Sequence, residues 1–191
     1  MASYDEVLND PAKGHFAKYT AHEGNRLTVA KYTAKGLTAE KIHAYYNDLC
    51  ANAYKLNSRS QVTKIDEHEG FTVLHAVTSL PWPMSNRSTI MVLYKFEEDG
   101  CLTFIQSSKG CEEFVTAHAK SIGKNVVASN HINYACYTPI EGGYEIATVM
   151  CADPAGSIPD VLKNKFANRT AQQPYILGNF MLTGALPTDL S

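Results

Sequence analysis

The sequence predicts an α+β fold in which a strongly curved antiparallel β-sheet is crossed by one long helix near the C-terminus. Three observations carry that prediction. Between residues 61 and 152, runs rich in β-branched and aromatic residues succeed one another, separated by the turn pairs Glu69-Gly70, Asp99-Gly100 and Gly142-Gly143, as in an antiparallel meander. From Ile158-Pro159 onward the apolar residues change to helical spacing. The 191 residues are 45% hydrophobic and 19% charged, enough for one sizeable core, and no linker or repeat divides residues 1–191, so a single domain is expected.

The elements follow in order. A helical turn is expected around residues 4–9, and residues 26–33 (RLTVAKYT) read as a strand that Gly36 ends. Thr38-Ala39-Glu40-Lys41 supplies a cap and early charge, and Ile42, Tyr45, Tyr46 and Leu49 recur on one side, so residues 39–53 form an amphipathic helix. Strands follow at 62–67, 71–79, 89–97, 102–108, 126–138 and 144–152. In the last segment Val161, Leu162, Phe166, Tyr175, Ile176 and Phe180 share a side, but Pro174 removes a backbone hydrogen bond and must kink or interrupt the helix near 171–173. A concave sheet face beneath such a helix encloses either a packed core or a ligand, and periodicity alone does not choose.

Composition narrows the function classes. Seventeen basic against nineteen acidic residues leave a formal net charge of -2, without the broad basic surface that grips a phosphate backbone, so nucleic acid is not an expected partner. The five cysteines are scattered and never spaced as metal ligands; they read as reduced thiols, and no metal or other cofactor is expected. Residues 1–20 carry Asp5, Glu6 and Asp10 and lack the pattern of a signal peptide, and no stretch approaches the ~18 apolar residues of a membrane span. The expected location is cytoplasmic.

Leu80-Pro81-Trp82-Pro83-Met84-Ser85-Asn86-Arg87, set between two strand-like runs, resembles the PWPMSNRD signature of START domains, the steroidogenic acute regulatory protein-related lipid transfer family. A second match runs from Gly142-Gly143-Tyr144-Glu145-Ile146 through Asp153-Pro154-Ala155-Gly156-Ser157-Ile158-Pro159 into the final helix. The resemblance covers about residues 27–182. Ser88 stands where the signature has Asp, Ala155-Gly156 where the family has Gly-Gly, and no Trp-Asp pair follows the 39–53 helix. The resemblance implies a helix-grip fold, with a U-shaped sheet around the C-terminal helix, an internal lipid-binding tunnel and no catalytic residues.

Period-two alternation divides each strand into faces. On residues 71–79, Thr72, Leu74, Ala76 and Thr78 oppose Phe71, Val73, His75 and Val77; positions matching Leu74 and Ala76 contact ligand in the carriers this chain resembles, so the first set is assigned inward. The same registration turns Arg87, Thr89, Met91 and Leu93 inward. In sterol-type START domains the positions matching Leu74 and Leu93 resemble a buried acid and base that pair in the cavity. Both are leucine here, which argues against the sterol-type polar pair and favours a phospholipid, with a sterol held in another way as the alternative.

Arg87 is then the leading polar group: the matching Arg of phosphatidylcholine-type members resembles a phosphate ligand, and a guanidinium fork suits phosphate. The alternative is an arginine paired to a carboxylate at the sheet edge. Ile105, Ile146, Thr148, Met150 and Phe166 are lining candidates or plain core. Trp82 either touches a membrane interface at the tunnel mouth or anchors its loop. His75, His118 and His131 have no second ligand or carboxylate at a spacing that points to a metal or a catalytic dyad.

The expectation is a non-enzymatic, monomeric carrier of one lipid, making transient contact with membrane surfaces, whose loops at 110–119 and 153–157 move to admit the ligand. The alternatives are a cavity enzyme of the wider helix-grip superfamily, which needs converging acid and base groups, and a binding module whose cavity is filled.

Overall fold

In the computed structural model, which describes residues 5–188, ten strands form one sheet. They are β1 (Asp5–Asp10), β2 (His15–His22), β3 (Asn25–Lys35), β4 (Ser60–His68), β5 (Phe71–Thr78), β6 (Arg87–Glu98), β7 (Cys101–Ser107), β8 (Val126–Val127), β9 (Ser129–Ile140) and β10 (Gly143–Asp153). The order across the sheet is β1-β2-β3-β10-β9-β7-β6-β5-β4, antiparallel throughout, with the two-residue β8 running parallel beside β6. The helices are α1 (Ala39–Asn47), α2 (Leu49–Leu56), α3 (Glu112–Ala117), α4 (Ala119–Ile122), α5 (Asp160–Ala171) and α6 (Gln173–Thr183). Pairing of β3 with β10, from Gly143↔Lys35 to Met150↔Thr28, joins the N-terminal meander to the last strand.

Each half of the sheet has an inner and an outer face. Leu74, Met91, Leu93, Phe104, Tyr137 and Ile146 meet Ile176, Leu177, Phe180 and Met181 of α6 and Ile42, Tyr45 and Tyr46 of α1 in the main core. Alternate residues Val73, Ile90 and Val92 pack on the outer face against Cys111 and Ile122, beneath α3 and α4. Full burial of each such aliphatic side chain contributes about 1.5–3 kcal/mol. Helix α6 approaches the sheet closely at Gly178, where an added Cβ would lie 2.9 Å from Tyr32 Cε1 and 3.0 Å from Ile146 Cδ1. Glycine is there because two elements occupy the space of its side chain.

The structure corrects the expected element list in four places. Residues 5–9 belong to strand β1 rather than a helical turn, and Tyr4 lies outside the described residues. Strand β2 was not expected: its alanines and lysine dilute the strand signal, and its pairing with β3 from Phe16↔Lys31 to His22↔Asn25 overrides local propensity. The single helix expected at 39–53 is two helices, broken at Asp48 (φ -112, ψ 38). The strand expected at 126–138 is split at Ala128 into β8 and β9, and α3 and α4 precede it. The interruption forced by Pro174 is present: α5 ends at Gln172, and Pro174 occupies the first turn of α6, where its missing N–H costs nothing.

Candidate ligand-binding site

Helix α6 is packed tightly onto the sheet, whereas α5 leaves space beneath it. Two lobes open near these helices, one at the α5–α6 junction, where Arg169 of α5 and Gln173, Ile176 and Leu177 of α6 line it, and one beneath α5. The first, of about 250 Å³, lies between α1, α2, the α5–α6 junction and strands β6, β7 and β9. Tyr45, Tyr46, Leu49, Leu56, Met91 and Phe104 make most of its apolar wall; Asn57, Ser60, Gln106, Asn133, Arg169 and Gln173 are its polar members. The second, of about 510 Å³, lies between α5, the start of β3 and the ends of β9 and β10, and is lined by Arg26, Thr28, Asn130, Met150, Asp153, Lys163, Phe166 and Thr170 among others. Between them, the side-chain nitrogen of Asn130, on the wall of the second, lies 3.6 Å from Sδ of Met91, on the wall of the first.

The first lobe is held rigidly. Tyr46 stacks on Phe104 with ring centroids 3.4 Å apart, and the Tyr46 and Tyr137 hydroxyls meet at 3.1 Å. Burial pushes the phenols of Tyr45, Tyr46 and Tyr137 well above their ordinary range, so they remain neutral hydrogen-bonding groups across the physiological range. Asn133 donates to Gln106 Oε1 at 2.7 Å. Arg169 donates to the Leu56 carbonyl at 2.6 Å, satisfying a C-terminal carbonyl of α2 and tying α5 to it. Above this lobe, the His15 ring lies 3.2 Å from the Ala171 carbonyl at the α5–α6 junction; desolvation holds its pKa below 6.5, partly offset by that hydrogen bond.

The second lobe is the larger of the two and carries Arg26, Asp153 and Lys163 on its wall. The Arg26 guanidinium carbon lies 3.5 Å from the centroid of the Tyr19 ring, and among the described residues its Nε is buried without a hydrogen-bond partner. Lys163 pairs with Asp160 at 3.2 Å, and Asp153 accepts the Ala155 N–H at 2.8 Å. Phe166 is 40% exposed.

The sequence-predicted residues divide. Met91 lines the first lobe and Phe166 the second. Leu74 and Leu93 are buried in the main core and Ala76 packs against it, while Thr148 is buried between Ile146 and Met150 on the face that bounds the lobes. Ile105 is a correction: Phe104 and Gln106 line the first lobe, so Ile105 points to the outer face, beside Tyr94 and Tyr134.

Arg87 is the second correction. It is 6% exposed and lines neither lobe; its Nε, Nη1 and Nη2 donate to the carbonyls of Pro154 (2.7 Å), Ser85 (2.5 Å) and Ala155 (3.0 Å). No carboxylate is its partner in these bonds. It fastens the 79–86 loop to the 153–157 segment, where Ala155 and Gly156 both have positive φ. Trp82, at 92% exposure, is not a buried anchor. Tyr45 and Tyr46 were visible as the apolar side of a helix; Arg26, Gln106 and Asn133 carried no signal, because isolated polar residues on strands acquire a role only from distant neighbours.

No family model matches the sequence, and no curated protein sequence does. Solved structures do. Human STARD10 superposes with TM-score 0.73 at 16% identity, over 94% of this chain and 73% of that one. Human StAR-related lipid transfer protein 5 gives 0.71 at 14% identity, over 95% and 86%. A STAR-related lipid transfer protein fragment from Xanthomonas axonopodis gives 0.70 at 17% identity, over 94% and 99%. At these identities the likeness is one of fold: the chain has the helix-grip α+β architecture of START domains.

Proposed function

We propose that this START-fold chain carries one lipid, without chemistry, in the two cavities at the α5–α6 junction and beneath α5. The observation that carries the reading is the pair of neighbouring cavities, one with a largely aromatic and aliphatic wall and one walled in part by Arg26, Asn130, Asp153, Lys163 and Thr170, with Asn130 and Met91 in contact between them. Such a pair of environments suits a molecule with a hydrocarbon part and a charged end. A sterol, whose single hydroxyl asks for one partner, uses less of it, so a phospholipid is the favoured cargo. Leu74 and Leu93 leave the inner face between β5 and β6 without an acid–base pair. The first lobe is lined by no carboxylate, imidazole or thiol, which supports binding rather than acid–base catalysis.

Both lobes are small for a two-chain lipid. Loading therefore requires α5 to lift, turning at Gln172 on one side and at the 153–157 segment on the other, while α6 stays seated. Trp82, in the loop that Arg87 ties to that segment, and Val161, 79% exposed on the first turn of α5, offer apolar contact to a membrane surface. Among the described residues no helix is long and apolar enough to cross a membrane. We place this carrier in the cytoplasm as a monomer that touches membranes transiently.

The test is extraction of the purified protein with organic solvent and identification of co-purified lipid by mass spectrometry, alongside transfer of a fluorescent phosphatidylcholine between vesicles. One lipid per chain is expected, and Met91→Trp, which fills the first lobe, is expected to reduce loading without loss of the fold. Absence of lipid from the protein, together with failure to load from vesicles, overturns the carrier reading. Paired Trp82→Ala and Val161→Asp changes are expected to slow transfer while leaving equilibrium loading and the unfolding temperature unchanged.

A further inference from the structure

The lipid reading requires a group that meets the charged end of the cargo, and Arg87 is fully engaged by backbone carbonyls. Arg26 is differently placed. It stands at the start of β3, lines the larger lobe, and is held by its face over the Tyr19 ring at 3.5 Å. Its Nε is buried and, among the described residues, has no hydrogen-bond partner. Buried polar atoms are almost always paired, because an unmade bond costs about 1–3 kcal/mol. Because Arg26 also lines the cavity, a turn of its guanidinium brings this unpaired donor to a ligand acceptor.

We propose that Arg26 is the anion-binding group of the second lobe and holds the phosphate diester of a zwitterionic phospholipid headgroup. The proposal rests on the lipid-carrier reading and assigns its polar end. Guanidinium presents N–H groups in a planar fork that matches two phosphate oxygens, and stacking on Tyr19 fixes the fork without using those donors. Lys163, paired with Asp160 on α5, places a second cationic group on the wall, and Thr28 and Asn130 add neutral hydrogen-bonding groups. Asp153 lines the same lobe. Its negative charge opposes a bare inorganic anion but complements the ammonium of a zwitterionic headgroup, so the wall carries both signs that such a headgroup needs.

The experiment compares the full chain with Arg26→Gln and Arg26→Lys. Each is equilibrated with vesicles containing phosphatidylcholine and, separately, with vesicles containing diacylglycerol of the same acyl chains; inorganic phosphate is titrated by calorimetry. Arg26→Gln is expected to lower phosphatidylcholine loading about tenfold or more and to leave diacylglycerol loading unchanged. Arg26→Lys, which keeps the charge but not the fork, is expected to fall between.

Unchanged phosphatidylcholine loading in Arg26→Gln overturns the assignment while lipid carriage stands, and so does an equal loss with both lipids, which marks a structural role. If the wild-type chain loads neither lipid, the carrier reading fails on its own. Arg26-dependent binding of inorganic phosphate then retains the anion site with a free anion as ligand, and its absence overturns the site as well.

Discussion

The two helices that cross the concave face make opposite contacts with it. Helix α6 buries Pro174, Ile176, Leu177, Gly178, Phe180 and Met181, whereas α5 buries only Ala171 and leaves Phe166 and Val161 exposed. Their sequences explain the contrast. QPYILGNFMLT is apolar on most sides and can be satisfied only by burial, while DVLKNKFANRTA is polar on most sides and is content over a hollow. One helix is thus a strap on the core and the other a cover over the larger cavity, and the difference teaches that this cavity lies where the helix sequence gives up its apolar face.

The strongest way to break that comparison is to load each helix with the opposite defect. Gly178→Leu places carbon inside the Tyr32 ring and the Ile146 side chain, and is expected to destabilise the fold by about 3 kcal/mol or more, read from denaturant unfolding. Phe166→Ala on α5 is expected to change stability by only about 0.5 kcal/mol while altering lipid loading. Comparable losses from the two changes sink the strap-and-cover distinction.

A smaller effect sharpens the boundary between the moving and fixed parts. Arg87→Ala removes three hydrogen bonds to carbonyls and is expected to cost about 1–3 kcal/mol, with faster amide exchange across residues 153–157. The relative loading of phosphatidylcholine and diacylglycerol is expected to stay as in the wild type, in contrast to Arg26→Gln. A change in that ratio restores Arg87 as a headgroup ligand.

The smallest effect is on pH. Burial holds the pKa values of His15 and His75 below 6.5; His118 adds to the lowering at His75, while the bond to Ala171 opposes it at His15. The unfolded chain therefore binds protons first as pH falls. Stability is fully present above about pH 6.5 and is lost progressively below it, toward the lower folded values. Denaturation midpoints measured from about pH 7.5 to 5 are expected to decrease, and His75→Gln to flatten part of the slope. A midpoint that rises on acidification contradicts the burial account.

Much of the sheet was legible in the sequence because turns and alternation are local properties. Gly70, Gly100 and Gly142 stand at positive φ in turns between paired strands, and the register faces of β5 and β6 put Leu74, Met91 and Leu93 inward. The N-terminal strands were less legible: β1 and β2 are stabilised by pairing outward from β3 rather than by strong strand formers. Of the site, the alternation that succeeded for Met91 was not carried through to β7, where Phe104 and Gln106 rather than Ile105 face the hollow.

The amino-acid sequence by itself determined the turns, the period of each strand and the break before Pro174, because each follows from the sterics and hydrogen-bonding capacity of a few neighbouring residues. Only the tertiary structure decided which arginine is fastened to backbone carbonyls and which lines a cavity. Arg87 meets carbonyls nearly seventy positions along the chain, and Arg26 meets a cavity wall assembled from β9, β10 and α5. A side chain's hydrogen-bonding partners are a property of the space it enters, and that space is made by residues far away in sequence.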